Sequence, residues 1–94
     1  MYVVVRKYAG AGASELFDAI EEREADVKEV IGGTPGFISY AAFRDDNGGT
    51  TVTSCEDKAG VEESSKRAAD WVKENVDTSV DPPEIHEGSA FIQF

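Results

Sequence analysis

Six stretches of the chain carry a regular pattern of hydrophobic and polar residues, and the first two predict a strand followed by a helix. Residues 2–8 are β-branched and aromatic, as is typical of a strand, and the small residues 9–13 predict a turn. Ser14 is the expected N-cap of the helix. The apolar stripe of this helix recurs at helical spacing and consists of Leu16, Phe17, Ile20, Val27, Val30 and Ile31. Gly32 and Gly33 are expected to end the helix.

The middle of the chain predicts a β-hairpin, and its last third predicts a helix and a final strand. Residues 45–49 read Asp-Asp-Asn-Gly-Gly, which is a strong turn signal between two extended patterns. The predicted elements are strands at 37–44 and 50–56, a helix at 58–76 and a strand at 84–94. A loop that ends at the Pro82-Pro83 pair separates this helix from the final strand.

The element order β-α-β-β-α-β is that of a ferredoxin-like fold of the α+β class. It predicts one domain over residues 1–94, with a four-stranded antiparallel sheet and two helices on one face. We expect Val3 and Val5 to face the helices. The other face is then expected to expose an apolar surface, to which Tyr2, Tyr8, Phe43, Phe91 and Phe94 contribute. Exposed apolar surfaces of this kind usually form interfaces.

The chain is acidic, with 19 Asp and Glu against 9 Lys and Arg and a formal net charge of −10. Such a field repels phosphate backbones and anionic lipid surfaces, so we expect no nucleic-acid partner and no membrane partner. The simplest interpretation is a solvated coat that maintains solubility, in a high-salt habitat or otherwise. A basic partner that docks on the acidic first helix is the alternative.

Cys55 is the one cysteine, which excludes an internal disulfide and favours a reducing compartment. The first residues have no secretory signal pattern, and no apolar run approaches the about 20 residues that span a bilayer. A cytoplasmic protein is therefore expected. The acidic neighbours Glu56 and Asp57 are expected to raise the pKa of the Cys55 thiol, which argues against a nucleophilic role.

Several short segments resemble the dimeric α+β barrel superfamily, in particular antibiotic-biosynthesis-monooxygenase-like domains. These segments are Pro35-Gly36-Phe37, Tyr40 and Arg44 on the second strand, the turn Asp46 to Gly49, and Ala68-Ala69-Asp70-Trp71-Val72 on the second helix. The resemblance implies a homodimer in which two sheets face each other through their open faces and the helix pairs cover the outside. Residues 85–94 are the expected segment to reach across the interface.

The resemblance also implies a cavity between helices and sheet. In the enzymes of this family the cavity takes phenolic polycycles and oxidises them with dioxygen, without flavin or metal, so no cofactor and no metal site are expected here. The candidate pocket residues are Arg6, Tyr40, Arg44, Trp71 and His86. Haem-degrading relatives carry an Asn on the first strand and a helical His. This chain has Arg6 and Lys7 in that region and no helical histidine, which argues against haem cleavage.

Each candidate also has a purely structural interpretation. Trp71 and Tyr40 are residues that cores and strands use for packing. Arg6 and Arg44 are expected to form surface ion pairs in so acidic a chain. His86, the one histidine, is a natural proton-transfer group but lies on the predicted last strand, where a structural role at the sheet edge is favoured.

Two functions therefore stay open. The first is a small dimeric barrel that binds a small aromatic or apolar ligand, or only self-associates, without catalysis. The alternative is a cofactor-independent monooxygenase-like enzyme that holds a phenolate near dioxygen. The enzyme hypothesis requires Tyr40, Arg44 and Trp71 to converge on one cavity, and it fails if Arg44 is paired outside while Trp71 fills the helix-sheet seam.

Overall fold

Seven elements form the fold, and the computed structural model describes residues 1–94. They are β1 (Tyr2–Ala9), α1 (Ala13–Glu22), α2 (Glu24–Gly32), β2 (Phe37–Asp45), β3 (Gly48–Cys55), α3 (Lys58–Asn75) and β4 (Glu84–Ser89). The strands form one sheet in the order β2-β3-β1-β4, and every neighbouring pair is antiparallel. The ferredoxin-like α+β prediction is confirmed. No helix is both long and apolar enough to cross a membrane.

The helix predicted between the first two strands is divided into α1 and α2. Arg23 separates them, with non-helical backbone angles of φ −116° and ψ 36°. Acidic side chains crowd this position, and repulsion between pairs such as Glu22 and Asp26, four residues apart, opposes a continuous helix. The N-cap prediction was wrong, because α1 begins after Gly12 in a left-handed conformation with φ 79°. Ser14 lies inside the first turn.

Strand β1 presents the opposite face to the helices from the one predicted. Val4, Arg6 and Tyr8 are buried beneath the helices, whereas Val3 and Val5 lie on the other side of the sheet. Tyr8 is therefore a core residue, and Tyr2 packs on the same side beside Val4, so the prediction that these two tyrosines extend the exposed apolar surface was wrong. Since valines occupy both sides of this strand, the alternation of hydrophobic residues does not distinguish its two faces.

The main core lies between α1, α2, α3 and the sheet. It consists of Tyr8, Ala13, Leu16, Phe17, Val27, Ile31 and Trp71. The rings of Tyr8 and Phe17 meet edge to face with centroids 6.0 Å apart. A smaller cluster joins Val4 and Val61 to Cys55. Burial raises the pKa of the Cys55 thiol, and the charge of Asp57 acts in the same direction, which confirms the prediction for that neighbour but not for Glu56.

The face of the sheet turned away from the helices, here called the open face, has an apolar centre. Pairing places Val5 beside Val52, and Val52 beside Ala41. Phe43 lies on the same face and is 53% exposed. Strand β4 ends at Ser89, earlier than predicted, and residues 90–94 continue without regular structure. Phe91 and Phe94 in this tail are almost fully exposed.

Candidate functional site

Three neighbouring spaces, which share lining residues, lie between the helices and the sheet. The first is an internal cavity of about 30 Å³, enclosed by Tyr8, Leu16, Tyr40 and Trp71 among others, which has room for roughly one or two water molecules. On one side of it a cleft of about 530 Å³, here called the α3 cleft, opens between α3, β1 and the loop 76–83. On the other side a groove of about 900 Å³ runs between α2 and β2.

The α3 cleft has the size and composition of a small-molecule site. Sites of this kind typically measure about 300–1,000 Å³ and combine apolar walls with a few polar groups. Its apolar wall consists of Ala69, Val72, Val76, Val80, Pro82, Pro83 and Ile85. Arg6 and Tyr8 line the cleft as well as the internal cavity, so the two spaces meet at these side chains.

Arg6 is the most unusual side chain at this junction, since it is only 1% exposed. Its guanidinium donates four hydrogen bonds, all to hydroxyl groups. Nε donates to Ser65 Oγ at 3.1 Å, and Nη2 donates to Ser64 Oγ at 2.7 Å. Nη1 donates to Thr53 Oγ1 at 3.0 Å and to Thr51 Oγ1 at 3.4 Å. No carboxylate lies within ion-pair distance. Arg6 is therefore a buried cation whose protein partners are all neutral.

The local sequence explains this hydroxyl shell. Thr51 and Thr53 are two residues apart on β3 and so point to the same face as Arg6, while Ser64 and Ser65 lie on the side of α3 that crosses β1. Burial lowers the pKa of the Arg6 guanidinium, although arginine keeps its charge at physiological pH. Small hydroxyl residues on both elements leave room for the long side chain.

Two phenols stand near this guanidinium, and neither supplies a counter-charge at neutral pH. Burial raises the pKa of Tyr40 to about 12, against the opposing effect of the Arg6 charge. Burial also raises the pKa of Tyr8. Both groups are therefore neutral hydrogen-bond donors under physiological conditions.

Tyr40 and Trp71 border the internal cavity but do not reach the α3 cleft. Trp71 is 6% exposed and belongs to the main core. Its indole Nε1 donates to Asp26 Oδ2 at 2.8 Å, which ties α3 to α2. Tyr40 is half-buried and also lines the groove between α2 and β2. Trp71 thus fills the helix-sheet seam.

Arg44 and His86 lie outside these spaces. Arg44 Nη1 forms ion pairs with Asp18 at 2.9 Å and Glu21 at 3.3 Å on the outer side of α1. His86 is exposed on the open face, where its Nε2 is 2.7 Å from Glu84 Oε2. The hydrogen bond from His86 lowers the pKa of Glu84. Of the five sequence candidates, the structure brings together Arg6, Tyr40 and Trp71, but not Arg44 or His86.

Sequence reasoning missed the walls of the α3 cleft. Ser65, Ala69 and Val72 recur at helical spacing. With the buried face of β1 known, this spacing would have identified them as the side of α3 that lines the cleft beside Arg6. The loop 76–83 gives no such signal. Asp81 holds it against the turn after β1, since its backbone N–H donates to Ala11 O at 2.9 Å and its carboxylate accepts from Ala11 N–H at 3.2 Å.

We expect the protein to lose stability steeply above about pH 10, in part through Tyr40. Its pKa is higher in the folded state, at about 12, than in the unfolded chain, so the stabilising effect is complete at neutral pH and is lost as pH rises from about 10 to 12. Tyr40→Phe should reduce this loss. Urea unfolding followed at pH 8, 10 and 11 measures it, and an identical alkaline decline in the variant would contradict the assignment.

The comparisons with known proteins support the fold. No family model and no curated protein sequence matches the chain. Among solved structures, a variant of SnoaB, a cofactor-independent oxygenase from Streptomyces nogalater, is 14% identical with a TM-score of 0.59, over 98% of this chain and 93% of that one. A MhuD variant with two manganese protoporphyrin IX molecules bound per active site is 16% identical with a TM-score of 0.67, over 99% of this chain and 96% of that one.

A third solved structure is the monooxygenase ActVA-Orf6 of Streptomyces coelicolor in complex with the ligand Nanaomycin D. It is 16% identical with a TM-score of 0.63, over 99% of this chain and 88% of that one. At these identities the likeness establishes a shared fold. It confirms the predicted fold, which this chain shares with all three proteins.

Proposed function

We propose that this protein binds a small aromatic ligand in the α3 cleft. The observation that carries the proposal is a cleft of about 530 Å³ that has one apolar wall and is also lined by Arg6 and Tyr8. A ligand there would bury its ring system against Val72, Val76 and Ile85. Burial of apolar surface contributes about 25 cal/mol per Å², and the few polar groups orient the ligand. A protein that shares this fold, ActVA-Orf6, is in complex with the ligand Nanaomycin D, which is consistent with a role in ligand binding.

We further propose that the protein is a homodimer joined through the open face. The centre of this face is apolar, and the exposed Phe43 and the aromatic tail extend it. A second copy is the natural occupant, because a self-complementary patch on a twofold axis covers both copies at once. The α3 cleft lies on the opposite side of the sheet and stays accessible in such a dimer.

Cofactor-independent oxygenation of a phenolic substrate is the second candidate. Arg6 favours it, because a buried positive charge lowers the pKa of a phenol that lies against it, and electron-rich phenolates react with dioxygen. The site that the sequence predicted for it does not form, because Arg44 is paired with Asp18 and Trp71 fills the helix-sheet seam. This candidate therefore rests on Arg6 in the α3 cleft and not on the predicted residues. Oxygen uptake with 1,4-dihydroxynaphthalene, compared between wild type and heat-denatured protein, decides between catalysis and binding.

Blocking the cleft is expected to weaken ligand binding without unfolding the protein. Ala69 lines the cleft and is exposed, so Ala69→Phe fills the space from the solvent side. Calorimetric titration with 2-naphthamide, an uncharged probe, should show binding weakened at least about tenfold, which is about 1.4 kcal/mol. Lys66→Phe is the matched control, because Lys66 is exposed on the same helix outside the cleft. Equal affinity in both variants would contradict the site, and so would a wild-type protein that binds neither 2-naphthamide nor 2-naphthoate.

A further inference from the structure

The buried guanidinium of Arg6 forms no ion pair, although the chain has 19 Asp and Glu residues. Buried charges in proteins are almost always paired, because removing a charge from water carries a large free-energy cost that neutral partners only partly offset. Glu87 is the one carboxylate whose charge raises the pKa of Arg6, and its effect is smaller than those of Tyr8, Tyr40 and Cys55. It is exposed on β4 and forms no ion pair with Arg6.

The hydroxyl shell around Arg6 is also able to receive an anion. An arginine has five N–H donors, and four hydrogen bonds leave at least one of them free. Ser65 lines the cleft and Thr51 the internal cavity, and each accepts from Arg6 while its own O–H remains available to an acceptor. Arg6 lines both spaces, and a hydroxyl donor therefore lies beside its guanidinium in each of them, Ser65 in the cleft and Thr51 in the internal cavity.

We infer that the α3 cleft takes an aromatic acid, whose anionic oxygen lies against the Arg6 guanidinium and whose ring lies against the apolar wall. The inference rests on the proposed function and names its ligand class. It also explains why an arginine stands at this position of β1, since an anionic ligand would complete an ion pair that the protein itself leaves open. Charge-assisted hydrogen bonds of this type are the strong ones.

The charges at the mouth of the cleft select against small inorganic anions. Asp70, Asp77 and Asp81 line the rim with a single Lys73, and the whole chain carries a charge of −10. This field opposes the approach of any anion, although salt screens it beyond about 8 Å. An anion therefore needs an apolar body to gain affinity from the wall, which an aromatic acid has and a phosphate or sulfate ion lacks.

The test compares 2-naphthoate with 2-naphthamide, which differ in charge but share size and shape. By calorimetric titration, wild type should bind the naphthoate at least about tenfold more tightly than the amide. Arg6→Met should remove this preference while the amide still binds, and circular dichroism verifies that the variant is folded. Lys73→Met is the control for the surface charge at the rim and should keep the preference.

The outcomes separate the inference from the function on which it rests. If the amide binds and wild type shows no preference for the naphthoate, the inference is overturned and the ligand site stands. A preference that survives in folded Arg6→Met, or that disappears in Lys73→Met, also overturns it, because the charge then acts from another residue. If neither probe binds to wild type, both the site and the inference fail. The wild-type comparison decides the matter even where Arg6→Met does not fold.

Discussion

Trp71→Ala is expected to lower the free energy of unfolding by about 3 to 5 kcal/mol, the usual range for truncating a buried aromatic side chain. Trp71 is 6% exposed and contacts the main core, so its loss leaves a cavity and also removes the hydrogen bond to Asp26. For a domain of this size the midpoint of thermal unfolding should fall by on the order of 20 °C. Urea unfolding monitored by circular dichroism measures the change.

Trp71→Phe is the matched control, since it keeps an aromatic ring in the core and removes the indole donor. Its cost should be clearly smaller than that of the alanine variant, because most of the apolar contact survives. A loss below about 1 kcal/mol in Trp71→Ala, together with lost binding of 2-naphthamide, would instead assign Trp71 to the ligand site.

Val52→Glu is expected to convert the proposed dimer into a monomer. Val52 lies at the centre of the open face beside Val5 and Ala41, and a twofold axis through this face would bring two uncompensated carboxylates together. Burying like charges in an interface costs several kcal/mol, so the dimer should weaken by at least about 1,000-fold. Native mass spectrometry and size-exclusion chromatography with light scattering measure the assembly.

Ala59→Glu is the control for this substitution, since it adds the same charge at an exposed position in the first turn of α3. This variant should remain dimeric. A monomeric wild-type protein would contradict the proposed dimer, and so would a Val52→Glu variant that stays dimeric. Either result would leave the open face without its proposed occupant.

The element order and the sheet topology could be predicted from local signals. The turn at 45–49 and the helical spacing of α3 are short-range features, and together they restrict the chain to very few arrangements. The division of the first helix at Arg23 was not predicted, because the apolar stripe continues through it. The face of β1 was also not predictable, since Val3 and Val4 are equally apolar and only the packing of α3 decides between them.

The site was less predictable than the fold, for the same reason. Residue type alone suggests that Arg6 forms a surface ion pair, yet its partners are Thr51, Thr53, Ser64 and Ser65, which are 45 to 59 positions away in the chain. No local pattern links a first-strand arginine to these hydroxyl groups. Arg44, by contrast, has the surface ion pairs that such reasoning expects. Long-range packing therefore determines which of two arginines becomes the buried cation.

The ligand site in the α3 cleft is tested most directly by a nuclear magnetic resonance titration of the isotopically labelled protein with 2-naphthamide. We expect the backbone amides of Ser65, Ala69 and Val72 and of the loop 76–83 to shift together in a saturable manner, since they surround the cleft. Amides at the centre of the open face, such as Val52, should not move. Shifts confined to the open face, or no saturable shifts at all, would contradict the site.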